Sequence, residues 1–246
     1  MSGIRPFTVA FGAGVVLLSA GCGAVDPVTG AKATPSPTPA ANGVVDKPPG
    51  EILRLATRAF QDAGSVHLKG NGTSNGELYA VDVRIKGGKG TITVNHNLVE
   101  MVRIGADAYF KGDADFWKDV TGDAEMAVLL KGRYLKVRSD EPDLKSILMF
   151  TDTDVLASTM LRSEGVATKG ERRTIQGVET IGVMFRSGKD STTLYVATTG
   201  RPYPMQLISA SDTADSGALD FFDYDRPFEL RPPPADLVVD TSKPGK

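Results

Sequence analysis

Alternation of apolar and polar side chains limits the fold of this chain more than any other feature of its sequence. The apolar residues at alternate positions include Val81, Val83, Ile85, Ile92 and Val94. Short polar turns that contain glycine or asparagine separate the alternating segments. A period of two between short turns is typical of antiparallel strands with one dry face. The sequence therefore predicts an antiparallel sheet as the main element.

The same pattern predicts about nine to eleven strands, which makes this a large sheet. The predicted strands cover 66–68, 79–85, 92–94, 98–104, 106–111, 134–138, 168–176, 178–186, 194–197, 204–209 and 218–224.

Three other segments carry apolar side chains at helical spacing. In the first, which ends at Gly64, one stripe of a 3.6-residue period is formed by Ile52, Leu55, Ala56, Ala59, Phe60 and Ala63. The other two cover 124–130 and 144–161. The order of helix, strands, helices and strands predicts an α+β fold with one large antiparallel sheet.

A sheet of about ten strands does not stay flat, because strand twist accumulates and wide sheets curl. The helices are expected to cover the concave face that results. Candidate residues for the lining of an apolar cavity on that face are Val81, Val83, Ile85, Ile92, Val94, Leu148, Ile181, Val183, Phe185, Leu194 and Met205. Periodicity leaves two outcomes open, since the helices either fill the concavity as an ordinary core or cover a cavity as a lid.

The first residues have the composition of an export signal. Arg5 precedes an uncharged, mostly apolar run over 7–18, which is shorter than the ~20 residues that span a bilayer core. Small residues lead up to Cys22, and this arrangement resembles the lipobox of bacterial lipoproteins. The resemblance implies cleavage before Cys22 and acylation of its thiol by chains such as palmitate. Cys22 is the only cysteine, so an internal disulfide is excluded.

Behind Cys22 the chain is rich in Pro, Ala, Thr and Gly, a composition that indicates a disordered tether. Acidic and basic residues nearly balance, at 30 against 28, so there is no field that would attract nucleic acid. The predicted organisation is a signal peptide over 1–21, lipidated Cys22 and tether over 22–49, one domain over 50–240 and a disordered tail over 241–246.

A family resemblance is carried by the lipobox, the tether, the helix before Gly64 and two short motifs. The first motif is Ala-Tyr-Phe-Lys-Gly at 108–112, with Trp117 close behind. The second is Leu-Asp-Phe-Phe-Asp-Tyr-Asp-Arg-Pro at 219–227, before a Pro-rich tail. Over about residues 50–240 the chain resembles the LppX/LprG family of actinobacterial lipoproteins. That resemblance implies a half-open β-barrel with helices over its concave side, similar to the lipoprotein carriers LolA and LolB.

An enzyme or a metal site is not expected. The segment 72–76 matches the Gly-x-Ser-x-Gly pattern of a hydrolase, which requires a helix after it and a later histidine base. Here a strand follows and the later histidine is His96, so the segment is interpreted as a turn. His67, His96 and one cysteine cannot assemble a zinc site. Asp152 and Asp154, beside a helix start, are interpreted as caps.

The family resemblance implies binding of an acylated lipid or glycolipid in an apolar cavity and transfer of that lipid across the cell envelope, without catalysis or a cofactor. The expected location is the extracytoplasmic face of the cell membrane, held by the lipid anchor. We expect a monomer, with a membrane transporter as a candidate protein partner. Arg133, Lys136, Arg172 and Arg173 are candidates either for headgroup contacts or for ordinary surface charge. The alternative is an envelope sensor or scaffold of the same fold that carries no lipid.

Overall fold

The computed structural model of the protein describes residues 39–74, 76–86, 88–94, 97–140, 148–163, 165–187, 190–210 and 216–240. The chain divides into one unit over residues 1–38 and a second over 39–246. The second unit contains its own apolar core, and a segment with its own core can fold without the rest of its chain. The predicted signal peptide, Cys22 and the tail after residue 240 lie outside the described residues.

One sheet makes up most of the second unit. Its strands are β1 Val66–Ser74, β2 Glu77–Ile85, β3 Lys89–Val94, β4 Asn97–Ile104, β5 Asp107–Lys111, β6 Tyr134–Arg138, β7 Thr168–Ile175, β8 Val178–Ser187, β9 Asp190–Ala197, β10 Pro204–Ala210, β11 Ser216–Phe222 and β12 Val238–Asp240. They lie in the order β12-β6-β5-β4-β3-β2-β1-β11-β10-β9-β8-β7. Every pair is antiparallel except β12 with β6, which is parallel. The predicted α+β fold with a large curved antiparallel sheet is confirmed.

Strand β1 joins the two halves of the chain. It pairs with β2 on one side and with β11 on the other, so that Leu68 lies opposite both Val83 and Phe221. Residues that pair directly across strands face the same side of a sheet. These three buried side chains therefore belong to one continuous apolar face.

Helices cover this face. They are α1 Pro49–Asp62, α2 Ala114–Thr121, α3 Ala124–Leu130 and α4 Thr153–Met160, with 3-10 turns at Val44–Asp46, Met149–Thr151 and Ala235–Leu237. The first helix lies across β7 to β10 and also contacts α4. The second packs against β4 and α3, and the 3-10 turn at Met149–Thr151 contacts β2. The helices thus form a layer over the concave side.

Helix α1 follows the predicted apolar stripe closely. It begins with Pro49, whose fixed φ suits the first turn of a helix. Leu53 is buried and Leu55 is only half-buried, which shifts the stripe by a small rotation from the prediction. The helix ends before Gly64, whose backbone N–H donates to the carboxylate of Asp225. The first predicted helix and its stop are confirmed.

The helix predicted over 144–161 is interrupted within its described part. Asp152 has an extended backbone, with φ −131° and ψ 115°, and its carboxylate accepts from the backbone N–H groups of Asp154 and Val155. An Asp side chain that competes in this way for backbone donors ends one helical segment and caps the next. The interpretation of Asp152 as a cap is confirmed, while residues 141–147 lie outside the described part.

The described domain begins earlier than the predicted boundary at residue 50. Ala41 forms a β-bridge with Thr199, and the side-chain amide of Asn42 donates to the Ala197 carbonyl at 2.9 Å. Val44 is only 2% exposed and belongs to the core. Because of these contacts, residues 39–49 belong to the domain and not to the predicted tether. The sequence did not indicate this, because Val44 is a single buried residue within a Pro-rich segment.

Candidate functional site

Nine of the predicted cavity residues belong to the apolar core under the helices. Met205, at a register shift between Pro204 and Gln206, is also buried but lies outside that core cluster. The exposed fractions of these ten residues lie between 0% and 7%. The residues are Val81, Val83, Ile85, Ile92, Leu148, Ile181, Val183, Phe185, Leu194 and Met205. Only Leu148 approaches from the helical side, at the start of the 3-10 turn Met149–Thr151. The side chain of Val94 lies outside the described part of the chain.

Strand register explains why residues distant in sequence share this face. Val81 pairs with Ile92, and Val183 pairs with Leu194. Because successive residues of a strand point to opposite sides of the sheet, residues two positions away from each of these along its strand also face the helices. The alternation seen in the sequence therefore marks strand residues that face the helices, whereas their role as the lining of a lipid cavity stays a prediction.

Several side chains of the same face were not among the predicted lining residues. They are Leu68, Val99, Met101, Phe110, Leu219 and Phe221 from the strands, with Phe60, Phe116, Trp117 and Leu130 from the helices. The strand residues lie mainly on β1, β4, β5 and β11, and the alternation of Val99 and Met101 carried the signal that would have found them.

Side chains fill the described part of this face. Among the fully buried residues, the largest are Trp117, Phe60, Phe110 and Phe221. A void wide enough for an alkyl chain would leave its walls accessible to a sphere the size of a water molecule. The predicted lining residues have almost no such accessible surface. Of the two outcomes that periodicity left open, the burial of the described residues favours a filled core.

Open grooves lie elsewhere on the described surface, and charged side chains stand in their walls. One groove of about 770 Å³ runs between α1 and α4, with Arg54, Arg58 and Asp154 in its walls. Another, of about 450 Å³, lies against β1 to β3 beside Lys69 and Asp82. Mixed charge and open walls of this kind do not suit an acyl chain.

The layer formed by α2 and α3 buries few side chains. Its buried residues are Phe116 and Trp117 on α2, with Ala127 and Leu130 on α3. Outward-facing Val128 is 75% exposed. Two short helices with so few buried side chains hold to the sheet less firmly than α1 does.

The glycine that ends the 108–112 motif has a packing role beneath this layer. A Cβ atom on Gly112 would lie 2.3 Å from the ring of Phe116. Asp113 next to it caps α2 by accepting from the backbone N–H of Phe116 at 2.8 Å. The motif therefore seats the first turn of α2 directly on the end of β5.

Trp117 is completely buried, yet its indole N–H finds no acceptor among the described residues. Its ring packs against Phe116 with centroids 4.9 Å apart. Buried tryptophan N–H groups usually have a hydrogen-bond partner, because leaving a donor unpaired in an apolar surrounding costs free energy. Trp117 is thus a polar donor held inside an apolar face.

The 219–227 motif packs where β11 ends and β10 begins. The ring of Tyr224 stacks on that of Tyr203 with centroids 3.9 Å apart, and its hydroxyl donates to the Pro204 carbonyl at 2.7 Å. Asp225 accepts from the Tyr203 hydroxyl and from the backbone of Gly64. Burial, followed by the Asp225 carboxylate, raises the pKa of Tyr203 to about 12. These contacts tie β11, β10 and α1 together, so the motif is structural.

A second polar network lies on the opposite face of the sheet. The Glu100 carboxylate accepts from the Lys111 ammonium and from the Tyr134 hydroxyl, each at 2.8 Å. Burial acts to raise the pKa of Glu100, but hydrogen bonds from Lys111 and Tyr134 outweigh it and lower the pKa overall. Burial and then the Glu100 carboxylate raise the pKa of Tyr134 to about 12.

The cationic residues considered for headgroup contacts do not form one cluster. Arg133 lies just before β6 and Lys136 lies on it, whereas Arg172 and Arg173 lie on β7. Strands β6 and β7 are near opposite edges of the sheet. The Lys136 ammonium is 3.2 Å from the Asp107 carboxylate, and Arg173 pairs with a neighbouring glutamate. Ordinary surface charge accounts for these contacts.

The segment 72–76 joins two strands, as predicted for a turn. Strand β1 ends at Ser74 and β2 begins at Glu77, so a strand stands where a nucleophile elbow requires a helix. Asn75 and His96 lie outside the described part. Among the residues that are described, no three His, Cys, Asp or Glu side chains come together as metal ligands would. No helix in the described ranges is both long and apolar enough to cross a bilayer.

No family model and no curated protein matches the sequence. Among solved structures, LprF from Mycobacterium bovis aligns at 14% identity with a TM-score of 0.51, over 75% of this chain and 96% of LprF. Lipoprotein LppX from Mycobacterium tuberculosis aligns at 14% identity with a TM-score of 0.49, over 74% and 99%. A putative outer membrane lipoprotein-sorting domain from Vibrio parahaemolyticus aligns at 10% identity with a TM-score of 0.29, over 74% and 95%. The likeness to LprF confirms, at the level of the fold, the resemblance found in the sequence.

Proposed function

We propose that this protein is a membrane-anchored envelope lipoprotein that binds an acyl chain of a lipid or glycolipid between its sheet and its helices and assists transfer of that lipid. The observation that carries the proposal is the continuous apolar face of the curled sheet under a cover of short helices. The likeness to LprF supports it through the fold.

The filled core requires that the cover move before a lipid enters. Burying an acyl chain of ~16 carbons stabilises a complex by about 12 kcal/mol relative to water, at ~0.8 kcal/mol per methylene. Lifting α2 and α3 exposes the side chains of Phe116, Trp117 and Leu130, at about 1.5–3 kcal/mol each. Relative to a lipid in water, burial of the acyl chain therefore outweighs the exposure of these three side chains.

Transfer follows from near-equal burial in the two environments. An acyl chain in a bilayer is already removed from water, so its exchange between the membrane and a dry protein interior is close to neutral. The predicted anchor at Cys22 would keep the domain at the membrane. We propose that the segment from Cys22 to residue 38 acts as a tether, and a flexible coil of that length would have a root-mean-square reach of about 23 Å. We infer an extracytoplasmic carrier that acts without catalysis.

A second candidate is a lipid-free sensor or scaffold with the same fold. The filled interior favours it, because ten predicted lining residues are at most 7% exposed. In this role the domain would present its outer surface to a protein partner, and its concave face would serve only as a core.

Native mass spectrometry of residues 39–246, purified from a lipid-rich bacterial host, separates the two candidates. Lipid adducts on the folded protein would support the carrier. A bare mass, together with failure to bind fluorescent fatty acids, would overturn it in favour of the scaffold.

Neighbouring residues on opposite faces of β8 provide a matched pair of variants. Val183 is fully buried against the helices, whereas Met184 is 42% exposed on the other face. Val183→Phe should reduce lipid adducts, and Met184→Phe should leave them unchanged. Circular dichroism would establish that both variants are folded.

A further inference from the structure

The indole N–H of Trp117 is an unpaired donor in the described core, and the filled face does not explain it. The other buried side-chain atom without a hydrogen-bond partner among the described residues, Nδ1 of His67, lies outside that core. The side chain has no exposed surface, and its Nε1 atom has no acceptor among the described residues. An unpaired donor in such a surrounding destabilises the fold unless something else compensates. A phenylalanine would pack there without this penalty.

The position of Trp117 gives the donor a context. It lies on α2, the helix that packs against β4 and α3, and not on the more extensively buried α1. The exposed apolar residues Val120, Val128 and Leu129 flank the same layer. The unpaired donor therefore lies on the inner side of a layer whose helices each bury fewer side chains than α1 does.

We propose that the indole N–H of Trp117 donates a hydrogen bond to a carbonyl oxygen of the bound ligand when the α2–α3 layer opens. This inference rests on the proposed function and narrows its ligand to an acyl ester or a related acyl carbonyl compound. A plain hydrocarbon would leave the indole donor unpaired. The hydrogen bond orients the ligand by placing its carbonyl end under α2 and its chain along the apolar face.

Two ligands of equal chain length test the proposal on residues 39–246: a fatty acyl methyl ester and the corresponding alkane. Each displaces a bound fluorescent alkyl probe that lacks a carbonyl. Trp117→Phe keeps a buried aromatic ring and removes the donor. The variant should bind the ester roughly tenfold more weakly and the alkane with unchanged affinity, since one hydrogen bond is lost in the first case alone. The alkane also controls for the smaller ring.

The outcomes separate this inference from the proposed function. If the natural protein binds neither ligand, both the carrier function and the role of Trp117 are wrong. If it binds both, and Trp117→Phe changes ester and alkane affinity equally, the carrier function stands and the role of Trp117 is wrong.

A second measurement uses the natural protein and therefore does not depend on whether the variant folds. Trp117 is the only tryptophan in the chain, so its fluorescence reports on this position alone. Acyl esters brominated beside the carbonyl should quench it more strongly than esters brominated at the chain end. Stronger quenching by the chain-end bromine would overturn the proposed orientation.

Discussion

The ring of Phe60 on α1 meets the ring of Phe221 on β11 edge to face, with centroids 5.6 Å apart and planes at 88°. Both side chains are at most 1% exposed. Phe221 lies opposite Leu68 of β1, in the strand pair that joins the two halves of the sheet. This contact joins α1, the longest of the described helices, to the centre of the sheet.

Removal of that contact should lower stability strongly. We expect Phe60→Ala to reduce the free energy of unfolding by about 3–5 kcal/mol, because it deletes buried surface and leaves a cavity. Urea denaturation of residues 39–246 measures the change. Leu129→Ala, at a site 48% exposed, serves as the control and should change stability by less than about 0.5 kcal/mol. Equal losses in the two variants would contradict the assignment of Phe60 to the core.

Alternation in the sequence was sufficient to predict most of the sheet, because each strand buries one face and exposes the other. Strand β12 at Val238–Asp240 was missed, since three residues carry no measurable period and the strand is fixed by parallel pairing with β6. Helix α2 was also missed. Its two buried residues, Phe116 and Trp117, are adjacent in sequence, so they mark no helical stripe.

The candidate face could be predicted, but whether it is filled could not. Period-two patterning shows which side of a strand is dry and says nothing about what lies opposite. Here Trp117 and Phe60 arrive from helices far apart in sequence, and their size decides how much of the concavity is occupied. The anchor at Val44 was hidden for a related reason, because one buried residue within a Pro-rich segment leaves no pattern.

Gly70 should tolerate no side chain. It lies on β1 between β2 and β11, and a Cβ atom there would lie 2.0 Å from the carbonyl oxygen of Ala218. Gly70→Ala must separate the central strands, and we expect it to lower the free energy of unfolding by about 1–3 kcal/mol. Gly50, in the first turn of α1, has no atom within 4 Å of such a Cβ. If Gly50→Ala proved as harmful in chemical denaturation, close strand approach would not be the cause.

Tyr134 should make the protein sensitive to alkaline pH. Burial and the Glu100 carboxylate raise the pKa of Tyr134 to about 12 in the fold, whereas an unfolded tyrosine titrates near 10. The folded state therefore holds the phenolic proton more tightly. The resulting stabilisation is present below about pH 10 and is lost as pH rises towards 12.

Tyr134→Phe isolates this effect from the other tyrosines. The difference in unfolding free energy between the natural protein and the variant should shrink as pH rises from about 9 to about 11. Urea denaturation at a series of pH values gives the difference directly. A difference that stays constant across this range would show that the Tyr134–Glu100 hydrogen bond is not formed in solution.

Cys22 should be required for membrane attachment. Two or more acyl chains on one residue anchor a protein stably, while a single chain binds only marginally. In the full chain, Cys22→Ala should abolish incorporation of labelled palmitate and prevent cleavage of the signal peptide. Labelling in the host followed by gel electrophoresis measures both changes. Undiminished palmitate incorporation in the variant would place the acyl chain elsewhere and remove Cys22 as the anchor.

The α2–α3 layer should open more readily than α1. The two short helices bury Phe116, Trp117, Ala127 and Leu130, and they are separated by Gly122 with φ +67°. Helix α1 buries more side chains along a single, longer stripe against β7 to β10. Regions with few buried apolar contacts open at lower free energy, so hydrogen exchange at the α2–α3 amides should be at least about tenfold faster than at the interior of α1.

Ligand dependence of the same exchange completes the prediction. A fatty acyl ester that binds beneath this layer should change protection at α2 and α3 and leave the interior of α1 nearly unaltered, because only the first layer must move. Mass spectrometry of residues 39–246 with and without the ester resolves the two regions. Uniform exchange across all the helices, unaffected by ester, would mean that the cover behaves as one rigid layer, and the route of lipid entry proposed for this protein would be wrong.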